Sequence, residues 1–443
     1  MMCPSIKNIA CTWLTLLLSG ASVAMDLSEA IAMAIRTDAQ YLSYQARARA
    51  DVASADAAFA RLMPLVTGTA AYAQNSTESA TTGSSQSPRT SNYDSKSWNV
   101  SLRQPIYRPS DWDGWKKAEL LARSSDALST ANEGLLRVRV ANAYFQTLGN
   151  AELLSVSLKD VDRYEQILAQ AHSALVKGYG TRTDVEEAQA KADIAKANVI
   201  DWEGRLQSSE RTLSLLVGTQ VHVSDLRGIA DISLPIRNIV EKPLLSWLAT
   251  AWSENPELEA LKLAAAAASK EIARQSSGHL PTVDLVLTRR MSSSDYETTI
   301  GQEYWTTSAG VQISVPIFAG TGIDAAVRSA RASHDEALLR HEAKKREIEQ
   351  ELTELYAKMK FGFARWQALS QAVRSSEQSL KGTRKGLQAG TRNIVDLLNA
   401  DQTLAEVEGQ RIALGFQLIS DSIHFLTKVS PDRQQFLRLL VAY

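Results

Sequence analysis

Two long stretches without proline set the fold class of this chain. No proline lies between Pro109 and Pro235, and none between Pro316 and Pro431. Both stretches are rich in Ala, Leu, Glu, Gln, Lys and Arg, residues that lose little in a helix. Gly114 to Val176 predicts a helix of roughly 93 Å at 1.5 Å per residue, and Ile323 to Gln388 one of roughly 98 Å. Helices of globular proteins average about 11–12 residues, so this length predicts coiled-coil packing. The seam residues of the first stretch, among them Ala118, Leu121, Ala122, Ala131 and Leu135, are mostly Ala and Leu, and the small ones allow close helix approach. Gly134, Gly149 and Gly362 are expected to mark bends or supercoil changes.

Each stretch carries the same turn. Residues 178–190 read GYGTRTDVEEAQA and residues 388–400 read QAGTRNIVDLLNA. Gly180, Thr181, Arg182, Val185 and Ala190 recur as Gly390, Thr391, Arg392, Val395 and Ala400, an offset of 210 residues from 180 to 390. A second helix is expected after each turn, over 182–217 and 392–428. Thr183, with Glu186 three residues on, is expected to cap the first of these. Shorter Ala-rich helices over 26–61 and 243–277 also correspond. The chain therefore reads as a duplicated architecture.

Between the helices lie two proline-bounded islands that alternate with period two, a strand pattern. In the first, a strand runs from Pro64 to Asn75, a Ser/Thr-rich loop covers 75–96, and Trp98, Val100 and Leu102 alternate with polar residues up to Pro105. In the second, Val283, Leu285 and Leu287 share one face, a polar loop covers 291–303, and Trp305 to Val315 alternate up to Pro316. Strands of about ten residues suit a tilted membrane-spanning strand. A soluble hairpin with one face on a core fits equally well. Four strands cannot close a barrel, and open edges are not tolerated in lipid; if these strands enter a membrane, several chains must pool them, and a trimer would supply twelve.

The remaining features exclude more than they add. Basic and acidic residues balance at 48 and 49, with no basic stripe, so nucleic acid is not an expected partner. Lys7, the apolar run Ile9 to Leu18 and the small residues Ser22-Val23-Ala24 read as a signal peptide cleaved after Ala24. Both cysteines, Cys3 and Cys11, lie inside it, so the mature chain is expected to be exported without disulfides. No later segment is apolar over about 18 residues, as a membrane helix requires. The six histidines form no HxxxH or HExxH pair, and no GxSxG elbow or P-loop occurs; no metal, cofactor or catalytic site is expected. Gly320, Gly322 and Ala325 in FAGTGIDAA imitate a dinucleotide fingerprint, but no second strand follows to complete a βαβ unit.

The duplicated GTR turns, the islands ending in LRQPIYRP and VQISVPIFAG, and the order of the helices resemble the TolC-like outer-membrane efflux proteins over roughly residues 26–430. The resemblance implies a mainly α fold with membrane β: a homotrimeric twelve-stranded outer-membrane β-barrel, four strands per chain, continuing into a long periplasmic α-helical coiled-coil barrel. The implied division is a signal peptide at 1–24, a helical segment at 25–61, a membrane hairpin at 62–109 and long periplasmic helices at 110–217. An equatorial linker at 218–242 follows. The second repeat has a helical segment at 243–279, a hairpin at 280–319 and long helices at 320–429, before a tail at 430–443.

The turn YGTRTDVEEA and the absence of an acylation cysteine look most like the exit ducts of type I protein secretion. Such ducts work with an inner-membrane ABC transporter and a periplasmic adaptor, or membrane fusion protein, and contact outer-membrane lipid. Multidrug efflux with a proton-driven pump is the alternative within the family. A periplasmic coiled-coil adaptor is the alternative outside it.

By resemblance, Thr183 and Asp184 match outer helix-pair positions that hold the periplasmic end closed. Arg392 matches the arginine bonded across to them. Leu387 stands where a tyrosine partner is expected. Asp396 matches the first of two acidic rings at the constriction, and Asn399 stands at the second, so one carboxylate ring is expected. The turns themselves, Gly178, Tyr179, Gly180, Thr181, Gly390 and Thr391, match the adaptor-facing tips. Read without the resemblance, Asp184, Asp396 and Arg392 are ordinary first-turn residues of helices.

Overall fold

The computed structural model describes residues 25–80, 83, 88–228, 233–294 and 302–430. The expected signal peptide, with Cys3 and Cys11, and the tail beyond 430 lie outside them. Two short helices open the described chain, α1 (Leu27–Thr37) and α2 (Ala39–Ala60). Strands β1 (Leu65–Ser79) and β2 (Arg89–Tyr107) follow, then α3 (Pro109–Val176) and α4 (Arg182–Val217). The second half repeats the order after α5 (Ser233–Val240): α6 (Leu244–Glu254), α7 (Pro256–Ser276), β3 (Thr282–Ser294), β4 (Gln302–Ser314), α8 (Gly322–Gln388) and α9 (Ile394–Val429). Among the described residues no helix is long and apolar enough to cross a membrane.

The long helices are continuous over 68 residues in α3 and 67 in α8. Three glycines of these helices are points of close approach. A methyl group at Gly134 would meet Thr427 at 2.8 Å, one at Gly149 would meet Phe416 at 3.1 Å, and one at Gly362 would meet Leu418 at 2.6 Å. Helix α3 also starts earlier than Gly114, at Pro109, whose missing N–H is one that a first turn leaves unbonded anyway.

The chain forms two compact units. The first comprises residues up to 34, 140–232 and 369–416. Its core joins four helices through Tyr164, Ile167 and Ala171 of α3, Ala188, Ala192 and Ala195 of α4, Val373 and Leu380 of α8, and Leu397, Leu398 and Leu404 of α9. Alanine dominates α4's share, which lets its backbone lie close to its neighbours. Elsewhere in this unit Met25 pairs with Leu226, and the Tyr144 hydroxyl ties the pairing down. It lies 2.7 Å from the Arg227 carbonyl and accepts the Arg227 N–H at 3.0 Å. Burial pushes that phenol up to about 12.

The second unit comprises residues 35–139, 233–368 and those from 417 on. Its helices are held by buried aromatic and polar contacts. Trp247 packs edge-on to Phe425 with centroids 5.6 Å apart. Asn255 separates α6 from α7, caps α7 by accepting the Glu257 and Leu258 N–H groups, and donates to the Lys428 carbonyl at 2.7 Å.

The same unit holds one four-stranded antiparallel sheet in the order β1-β2-β3-β4. The two expected hairpins are thus joined through β2 and β3. The strands overrun the expected loops. Asn75 to Ser79 pair with Tyr93 to Arg89, so most of the Ser/Thr-rich 75–96 segment is strand. Asn75 Nδ2 donates to Ser95 Oγ at 2.9 Å and the Tyr72 hydroxyl to Asp94 at 2.9 Å, cross-strand bonds that extend the ladder. Of the second expected loop, Met291 to Ser294 and Gln302 to Glu303 are strand, and 295–301 lie outside the described residues.

Residues directly opposite one another point to the same side of a sheet. The row Ala70–Trp98–Met291–Trp305 and the row Val66–Leu102–Leu287–Ala309 therefore share an apolar face. The row Thr69–Asn99–Arg290–Thr306 belongs to the other, polar face. Trp98 and Trp305 meet edge-on at 5.5 Å on the apolar side. On the polar side Asp284 is buried and receives two hydrogen bonds from Arg108, at 2.8 and 2.6 Å, beside the bulge at Pro105 and Tyr107.

Candidate functional site: the paired helix turns

The two turns of the first unit are built alike. After α3, Gly178 takes a left-handed φ of 83°, and the Tyr179 and Gly180 N–H groups both donate to the Ala174 carbonyl, at 3.1 and 3.0 Å. After α8, Gly390 takes φ 72°, and the Thr391 and Arg392 N–H groups both donate to the Gly386 carbonyl, at 2.8 and 3.2 Å. Left-handed glycine satisfies the last carbonyls of a helix at no steric cost. The helix that follows each turn is then capped reciprocally. Thr181 Oγ1 accepts the Asp184 N–H at 3.1 Å while Asp184 accepts the Thr181 N–H at 2.9 Å. Asn393 Oδ1 accepts the Asp396 N–H at 2.7 Å while Asp396 accepts the Asn393 N–H at 3.2 Å.

Two expectations are corrected by this geometry. The cap of α4 is Thr181 with Asp184, not Thr183 with Glu186; Thr183 lies inside the helix, exposed. The equivalence of the repeats is also shifted. Gly178 corresponds to Gly390, Thr181 to Asn393 and Asp184 to Asp396, an offset of 212 residues from 178 to 390 rather than the 210 of the GTR match. The GTR letters therefore recur two residues out of structural register.

The remaining site residues fall as follows. Tyr179 is exposed at the tip of the first turn. Gly178, Thr181, Gly390 and Thr391 are exposed, and Gly180 is half-buried. Leu387 packs partly buried against the four-helix core, and its carbonyl accepts the Gly390 N–H. Asn399 is exposed. Arg392 Nη1 stands 3.8 Å from Asp396 Oδ2, one helical turn on. Among the described residues no bond joins Arg392 to Thr183 or Asp184 within one chain. Val185, Ile394, Leu397 and Leu398 bury both helix starts in one core, so both turns rest on the same packing.

Sequence reading missed a buried ionic cluster beside that core. Asp401 on α9 is fully buried, with Arg163 Nε 3.0 Å from its Oδ1. Arg163 also bonds Asp160, one turn back on α3. Two carboxylates thus share one guanidinium. Burial pushes Asp160 up to about 6 against the pull of Arg163, with Asp401 and Glu408 adding to the rise. Burial likewise raises Asp401, opposed by Arg163 and Arg384. The clue was present in the helical period: Ile394, Leu397, Leu398, Asp401 and Leu404 form one stripe, with an aspartate at an apolar position.

This architecture has known counterparts. The family model described as outer membrane efflux protein matches residues 25–219 and 247–423. The alkaline protease secretion protein AprF of Pseudomonas aeruginosa is 30% identical over 74% of this chain and 68% of its own length. The proteases secretion protein PrtF of Dickeya chrysanthemi is 28% identical over 89% of this chain and 86% of its own length. Among solved structures, a membrane protein from Pseudomonas aeruginosa superimposes with TM-score 0.78 at 18% identity, covering 91% of this chain and 93% of its own. With the family model spanning most of both repeats, the chain belongs to the outer membrane efflux protein family: it is a non-catalytic, TolC-type outer-membrane channel of bacterial export, with a periplasmic extension.

Proposed function

We propose that the chain is the exit duct of a type I protein secretion system, working with an inner-membrane ABC transporter and a periplasmic adaptor. The observation that carries this reading is the likeness, at 30% and 28% identity, to two proteins named for protease secretion. The duct is passive; its partners supply the energy.

The membrane part is the sheet. Its two hairpins, at 62–109 and 280–319, turn their apolar face to lipid and their polar face to a water-filled lumen, the alternation of a transmembrane barrel. The edges β1 and β4 find no partner within one sheet of this order, and open edges are not tolerated in hydrocarbon. Three copies pooling four strands each close a twelve-stranded barrel. The long helices at 110–217 and 320–429 are the periplasmic tunnel. At its closed end Asp396 contributes one carboxylate ring that attracts cations, with Asn399 in place of a second. Arg392 is the latch, reaching Asp184 or Thr183 across the helix pairs, and Leu387 leaves one polar link out. Gly178, Tyr179, Gly180, Thr181, Gly390 and Thr391 meet the adaptor.

The test is reconstitution in a strain lacking its own duct. Co-expression with a protease-exporting ABC transporter and adaptor should restore secretion of the protease. Restored drug resistance with a proton-driven pump, without restored secretion, would favour multidrug efflux instead.

A further inference from the structure

The acidic residues of the sheet lie mostly on one face. By register, the polar face carries Arg89, Arg103 and Arg290, and Asp284 as its one acid among the described strand residues. Glu78, Asp94 and Glu303 lie on the other face, together with Lys96 and Arg289, whose guanidinium sits over the Trp305 ring and donates to Thr307. Asp284 is already engaged. Arg108 bonds both its oxygens, and Arg103 Nε stands 3.3 Å from Oδ2. Arg290 differs from Arg103. It is exposed, and its row neighbours Thr69, Asn99 and Thr306 carry no charge. Among the described residues no hydrogen bond or ion pair holds its guanidinium.

We infer that Arg290 is a selectivity residue of the duct, forming with its two symmetry mates a cationic ring in the barrel lumen that favours anions and acidic segments of a passing polypeptide. The inference rests on the proposed trimeric barrel, in which the polar face lines the pore. Its physics is that of any charged constriction: rings of like charge set ion preference in a water-filled pore. Because the guanidiniums are solvated, the effect is screened over about 8–10 Å at physiological salt. It is therefore strongest at low ionic strength. An isolated arginine on this face has no structural task that a neutral polar residue would fail to do. The adjacent rows on this face, Thr67–Ser101–Thr288–Ser308 and Ala71–Ser97–Ser292–Tyr304, carry no charge either.

The experiment is the reversal potential of the full-length channel in planar bilayers under a tenfold KCl gradient, at low and at high salt. Arg290→Gln should shift the preference toward cations, Arg290→Glu further, and Arg290→Lys should leave it at the wild-type value. All shifts should shrink at high salt. Equal reversal potentials for wild type, Arg290→Gln and Arg290→Glu at low salt would overturn the inference while leaving the duct standing. Absence of any channel from wild-type protein would instead remove the barrel reading beneath it. Should the variants fail to insert, block of wild-type channels by polyglutamate provides the second measurement. Block by polyglutamate that exceeds block by an uncharged polymer of equal size supports the ring, and equal block overturns it.

Discussion

Gly180 and Gly386 relieve the same crowding from opposite sides. In the first turn the residue at the helix end is Ala174, and a methyl group on Gly180 would strike its Cβ at 2.9 Å and the Leu175 nitrogen at 2.9 Å. In the second turn the roles are exchanged: the helix residue is Gly386, and the residue across from it is Arg392, whose Cγ a methyl on Gly386 would meet at 2.7 Å. Two side chains do not fit at this crossing, so one partner is glycine in each copy. The exchange is what allows an arginine at the second turn.

This exchange predicts a change of sign. Gly386→Ala alone sets a gain in helix propensity of about 1 kcal/mol against overpacking of about 1–3 kcal/mol, and should be neutral to destabilising. In an Arg392→Gly background the same change recreates the first turn and should stabilise by up to about 1 kcal/mol. Denaturant unfolding of the four proteins of this cycle would reveal it; additive effects would show that the two positions do not compete.

Asp160 predicts a pH dependence of defined sign. Its carboxyl is raised to about 6 from 3.8, so the folded state binds the proton more tightly. That contribution is complete below about pH 4 and is lost as pH rises through about 6, an effect of up to about 3 kcal/mol. Asp160→Asn, which mimics the protonated form, should gain stability over the wild type as pH rises from 4 to 7. Thermal unfolding followed by helical circular dichroism reads the difference; a gap that does not vary with pH would contradict it.

Glu351 predicts the opposite sign in a lower window. It accepts from His424 Nε2 at 3.0 Å and from Lys428 at 3.2 Å. The His424 hydrogen bond, with Lys428 and against burial, lowers it to about 2 from 4.5. Its contribution is present above about pH 4.5 and is lost as pH falls toward 2, amounting to about 1–3 kcal/mol. Glu351→Gln should therefore destabilise at pH 7 and approach the wild type near pH 2.5. A penalty unchanged between those pH values would refute the assignment.

On the proposed duct, Asp396→Ala should weaken block of single-channel conductance by multivalent cations, and Asn399→Asp should strengthen it by adding a second ring. Because Asp396 also caps α9 through Asn393, the alanine variant is expected to lose about 1 kcal/mol of stability as well. Unchanged block in both variants would remove the ring. Arg392→Ser should raise resting conductance if Arg392 latches the closed state.

Much of this protein was legible in one dimension. Proline punctuation located the long helices because a missing N–H is tolerated in the first turn of a helix but breaks its interior. Period-two alternation located all four strands, though not their ends: Ser and Thr at 75–79 and 89–95 look like loop in isolation and become strand when a partner supplies the ladder. The buried Asp401 sat in plain view on an apolar stripe, but its partners Arg163 and Asp160 come from a helix more than two hundred residues away.

The sequence by itself determined the duplicated helix pairs, the alternating strands and the family, because each depends on local period and composition. Only the tertiary structure decided the register of the duplication. Matching letters paired Gly180 with Gly390, whereas the hydrogen bonds pair Gly178 with Gly390 and Thr181 with Asn393. The reason is physical: a turn is defined by where its carbonyls are satisfied and its backbone turns left-handed, and different residues meet those demands in the two copies.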